Sequence, residues 1–113
     1  MAGTQFGRFV GGINAAVAAA GDSQATGTAL TAGINVVTSA TGTTADGVVL
    51  PSDRAAGDIL YIVNATATAI DVFPSTGGAI NGGTANAAKA LAANMSGTYI
   101  SLGSGNWGAV LSA

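Results

Sequence analysis

Apolar and polar positions alternate in short bursts along this chain, and nearly every burst closes on a glycine, proline, asparagine or aspartate. A period of two between turn signals marks strands, and helical periodicity is almost absent. The pattern predicts strands over residues 25–30, 33–39, 47–50, 58–64, 69–73, 89–91, 97–102 and 107–111. In "TYISL", Ile100 and Leu102 share one face while Tyr99 and Ser101 share the other, as in a half-buried strand. "DILYIVN" differs, being continuously apolar from Ile59 to Val63, which predicts a central strand with both faces buried. Many short strands with frequent turns predict an all-β fold, a small antiparallel β-sandwich of about eight strands with jelly-roll-like character.

Two segments resist the strand pattern. Over residues 1–21, Phe6, Phe9, Val10, Ile13 and Val17 fall at helix-like spacing, but Gly3, Gly7, Gly11 and Gly12 each weaken a helix by about 1 kcal/mol. The segment is therefore expected to be an extended arm, with residues 22–113 forming the domain. "TANAAKALAAN" is rich enough in alanine for a short helix, yet Lys89 to Leu91 is placed as a strand after a glycine-rich loop. The fragments "GGIN", "AGIN" and "GAIN" recur at unequal distances, which argues against a solenoid of fixed period.

Composition then narrows the chemistry. The 113 residues include no Cys, His or Glu, and only Arg8, Arg54, Lys89, Asp22, Asp46, Asp53, Asp58 and Asp71 carry charged side chains. Thiolate nucleophiles, imidazole bases and zinc sites of the usual kind are excluded, so no enzymatic activity and no cofactor is expected. The absence of cysteine leaves the redox compartment open. A net charge of -2 supplies no basic stripe, so no nucleic acid is expected as a partner. No run approaches the roughly 20 apolar residues of a spanning helix, so no membrane partner is expected either. Of the 49% apolar residues, 25 are alanine, which leaves a thin core of larger side chains. Only 7% of residues are charged, well below the quarter typical of soluble domains, and much of the surface is expected to be covered in an assembly.

The remaining motifs favour structure over chemistry. In "DVFPSTGGAINGG", Pro74 ends a strand, two glycine pairs supply positive φ, and Ile80 turns back toward the core; no Gly-Lys step leading to Ser or Thr follows as a phosphate loop requires. Asp46, Asp53 and Asp58 lack the alternating acidic pattern of a calcium loop and are expected to be turn residues. Asn64-Ala-Thr and Asn94-Met-Ser match the glycosylation triplet, which chance also produces. Trp107, the sole indole, is expected to cap the core or a subunit contact ahead of binding sugar.

The order "SQATGTALTAGINVVTSA", "GVVLP", "AAGDILYIVNATATAIDVFPSTGGAING" and "GNWGAVL" resembles a class of small virion proteins of tailed bacteriophages, some of them head decoration or cement proteins. The resemblance spans about Gly21 to Leu111 and rests on "AGD-x-L-x-I-V-N" with "V-F-P-x-x-G-x-x-I-N-G". It implies a structural subunit on the outer surface of the capsid, a homotrimer bound to the major capsid protein. In that arrangement Phe6, Phe9, Arg8 and Trp107 are the expected contact residues, the phenylalanines as apolar anchors and Arg8 facing a carboxylate. A head or tail fibre subunit binding host glycans is the alternative, and it predicts an exposed groove at Trp107 or Tyr99.

Overall fold

The computed structural model describes residues 8–9, 12–40 and 46–112. The chain is all-β, with two mixed sheets and, among the described residues, no helix. The strands are β1 (Arg8–Phe9), β2 (Ile13–Ala18), β3 (Thr28–Ala29), β4 (Ile34–Ser39), β5 (Gly47–Val49), β6 (Asp58–Asn64), β7 (Ile70–Phe73), β8 (Lys89–Leu91), β9 (Ser96–Gly103) and β10 (Asn106–Leu111). The wide sheet runs β10-β9-β6-β4-β2, with the two-residue β1 beside the start of β6, and the narrow sheet runs β3-β5-β7-β8.

The expected uniformly antiparallel sandwich is corrected here. β2 to β7 alternate between the sheets, so that β2, β4 and β6 stack in parallel in one sheet and β3, β5 and β7 in the other. The chain thus winds through three turns of a flattened coil. Only β8, β9 and β10 pair antiparallel, β8 with β7, β9 with β6 and β10 with β9.

The coil also corrects the argument from unequal spacing. Ile13 pairs with Ile34 and Asn14 with Asn35, so the first two Gly-Ile-Asn fragments lie one above the other in successive turns. Parallel stacking needs matched strands and tolerates unequal loops, because lengthening a surface loop adds little closure entropy. The third fragment plays another role. Ala79 to Asn81 runs along the free margin of β10: Trp107 N–H donates to the Ala79 carbonyl at 2.9 Å and Asn81 N–H to the Trp107 carbonyl at 2.8 Å.

Inward side chains of both sheets make one core. Leu60, Ile62, Val37, Val17 and Tyr99 from the wide sheet meet Val48, Leu50, Ile70, Val72 and Leu91 from the narrow one, with Trp107 and Ile80 completing it. Asn64 lies wholly buried among them, its amide donating to the carbonyls of Thr68, Leu91 and Ala92 while its oxygen accepts from Thr66. That junction ties the end of β6 to β8 in the opposite sheet, and it removes Asn64 from consideration as a glycosylation acceptor. The accessible surface, 5482 Å², matches the roughly 5,500 Å² typical of a compact monomer of this mass. Neighbours therefore matter for the kind of surface left exposed, not its amount.

Candidate interface on the wide sheet

Tight contacts around Trp107 show what the glycine-rich segment does. Ser75, 2% exposed, accepts from the Trp107 indole at 3.1 Å and donates to the Pro51 carbonyl at 2.7 Å. Gly78 lies so close to the Gly105 carbonyl that a Cβ there would overlap it. Asn81 clamps β10 from outside, its side chain accepting from Ala109 N–H at 2.9 Å and donating to the Ala109 carbonyl at 3.2 Å. Positive φ at Gly77, Asn81 and Gly82 permits this path, and Ile80 is buried as expected. The segment is a structural seal along a sheet margin.

The sequence-derived contact residues are dispersed by the fold. Phe6 lies outside the described residues. Arg8 and Phe9 form β1, whose backbone pairs Arg8 with Asp58 and Phe9 with Ile59. Trp107, expected to cap the core or a subunit contact, packs in the core at 1% exposure, its ring between the sheets and its N–H donating to Ser75. Tyr99 is buried as well, and desolvation drives its hydroxyl pKa far above the ordinary tyrosine range. No aromatic groove of the kind a glycan module uses is built by either ring.

Other features do not assemble into reactive chemistry. Asp58 closes the turn ahead of β6 by accepting from Ala55 N–H at 3.1 Å, and Asp53 pairs with Arg54 at 3.0 Å. Among the described residues no three acidic groups converge as a metal site. A groove of about 390 Å³ lies at the ends of β3 and β5, lined by residues that include Leu30, Leu50, Pro51 and Arg54. Its guanidinium is engaged in tying loops, donating to the Thr31 carbonyl at 2.9 Å and to Asp53.

A surface without charge is more informative. Alternation along β6 sends Leu60, Ile62 and Asn64 inward and Ile59, Tyr61 and Val63 to the outer face of the wide sheet. β4 adds Ile34 and Val36, β9 adds Thr98, Ile100 and Leu102, and β10 adds Val110. The register aligns these into rows. One crosses five strands as Ile13, Ile34, Tyr61, Thr98 and Val110; others join Val36 to Val63 and Ile59 to Ile100. Ile13, Leu102 and Val110 stand 64%, 59% and 69% exposed, whereas a monomer's surface rarely gathers large apolar side chains in one patch. The Tyr61 hydroxyl is satisfied within the face by Ser96 at 3.0 Å.

The continuous apolar run of β6 predicted a central strand, and β6 is central. Its outer side chains, however, are only half-buried, by one another. Among the described residues no strand lies over this face. Sequence reasoning found Ile100 and Leu102 on one face but missed that five strands extend it, since β2 had been assigned to an arm.

Comparisons with family models, with curated proteins and with solved structures found no match for this chain.

Proposed function

We propose that this chain is a structural virion subunit, a decoration or cement protein on the outer surface of a tailed-phage head, bound to the major capsid protein as a homo-oligomer. The observation that carries an assembly role is the uncharged apolar face of the wide sheet. Burial of such a face is worth roughly 25 cal/mol per Å², and its described residues offer no carboxylate, amine or guanidinium. The phage setting rests on the resemblance of "AGDILYIVN" and "VFPSTGGAING" to virion proteins of that class.

In this reading the subunit acts by burial alone. A trimer, as the resemblance implies, multiplies weak shell contacts into avid attachment. β1 pairs Arg8 and Phe9 with the start of the central strand β6, and in this reading the amino-terminal contacts with the shell lie at that end of the wide sheet. The test is cosedimentation of purified protein with phage heads lacking their decoration protein. Saturable binding at a fixed ratio to the shell subunit is expected, and F6A/F9A should weaken it while the circular dichroism of the domain is unchanged. Failure to bind any head, with the protein folded, rejects the reading.

A further inference from the structure

We propose that the outer face of the wide sheet is covered by the same face of another copy of this chain. The inference rests on the assembly reading above and names where copies meet. Five strands at roughly 4.8 Å spacing make a face about 24 Å wide, and about six residues of strand make it about 20 Å long. Two such faces brought together remove on the order of 1,000 Å² of surface, the lower bound for a specific interface, before side-chain relief is counted.

Three observations select a second copy as the occupant. The face bears no charged side chain among its described residues, so it offers no pattern by which a charged partner could be chosen, and a self-contact meets no like-charge repulsion. Its largest side chain, Tyr61, sits on the middle strand, flanked on both sides by smaller groups and ending in Ile13 at one margin and Val110 at the other. A two-fold axis along β6 therefore lays one copy's Val110 margin over its partner's Ile13 margin, an isologous contact with an apolar centre. Finally, sheets pack face to face at about 10 Å, and a flat pleated surface of branched side chains fits best against another of its kind. The same residues serve three copies, since three faces of this width closing a triangle hold the middle strand roughly 7 Å from the axis.

Light scattering after size exclusion, at micromolar concentration and without any shell, tests this. The native chain is expected to be a dimer or trimer, and I100K/V110D is expected to be monomeric with unchanged circular dichroism, its self-association weakened at least about a hundredfold. Because the chain contains no cysteine, single-cysteine variants give an independent reading. Thr98→Cys, on the face and about 14 Å from its counterpart in either arrangement, should be joined into covalent dimers by a bis-maleimide of that span, and Ala90→Cys, on the outer side of the narrow sheet, should not. A monomeric native chain, an oligomer indifferent to the charged substitutions, or cross-linking at Ala90 in place of Thr98 overturns the proposal. A native chain that is monomeric yet saturates phage heads overturns this inference alone. One that pairs through the face but binds no head overturns only the decoration reading.

Discussion

The two sheets share a core but treat their outer faces differently. On the narrow sheet, Phe73 lies over Gly47, where a Cβ would come within 2.8 Å of the ring. The segment after β2 then folds across the same side: Ala20 bridges Gly47, Gly27 packs against the Val49 side chain, and Gln24 donates to the Pro74 carbonyl at 2.8 Å. The larger side chains the narrow sheet turns outward, Phe73 and Val49, the chain covers in part itself. The wide sheet turns outward a larger and greasier surface and receives no such cover from the described residues. A chain that shields one face, and whose described residues leave the other bare, points to a partner on the bare one.

The strongest way to break this comparison is to contrast the two sides of β6. Leu60→Ala should lower unfolding free energy by about 2 to 5 kcal/mol in urea titrations, because it opens a hole in the shared core. Ile59→Ala, one residue away on the outer face, should cost less than about 1 kcal/mol at high dilution, and more as protein concentration rises and the face is occupied. Equal losses at the two positions, independent of concentration, would mean the outer face is not a contact.

Changes to the self-made cover should be smaller. Gly47→Val thrusts a branched side chain into the Phe73 ring, and a loss of about 1 to 3 kcal/mol is expected from thermal unfolding. Gln24→Ala removes one loop tether and should cost roughly 1 kcal/mol, accompanied by faster amide exchange in residues 20–27. Neither should alter the oligomeric state, which light scattering would check.

The smallest effect concerns Asp71, on the outer side of the narrow sheet beside Gly47 and Ala90. Desolvation raises its pKa above the ordinary carboxylate value, so folding disfavours its ionised form. The penalty is present above the folded pKa and disappears as pH falls through it toward the unfolded value. Asp71→Asn should therefore stabilise slightly at neutral pH, with the advantage over the native chain vanishing in acid, as paired melting curves across that range would show.

Much of the fold was legible because its strands carry local signals. Asp58 to Asn64 and Lys89 to Leu91 are strands at their predicted limits, and the remaining predicted runs appear with shifts of a few residues at their ends. β2 was missed because glycines and helix-like spacing disguise it; its pairing partner β4 supplies the order that its own sequence does not. Parallel direction was illegible for a different reason. Turn residues mark where a strand ends, not which sheet the chain enters next. The stacked Gly-Ile-Asn pair is the available clue, and the unequal spacing of the three fragments hides it because the third lies along β10 outside the stack. The candidate interface could be seen in fragments, in Ile59 to Val63 and in Ile100 with Leu102, but only the cross-strand register joins them into a surface.

Among the described residues, the coil is terminated at one end only. Beyond β6 and β7, the antiparallel strands β8, β9 and β10 and the Asn81 clamp stop any further turn, whereas β2 and β3 present parallel-type margins to whatever lies on their far side. The architecture thus has a direction of growth: an added turn would be accepted against β2 and β3 and refused at β10. Lengthened descendants of this fold, natural or engineered, are expected to gain their extra windings at the amino-terminal side.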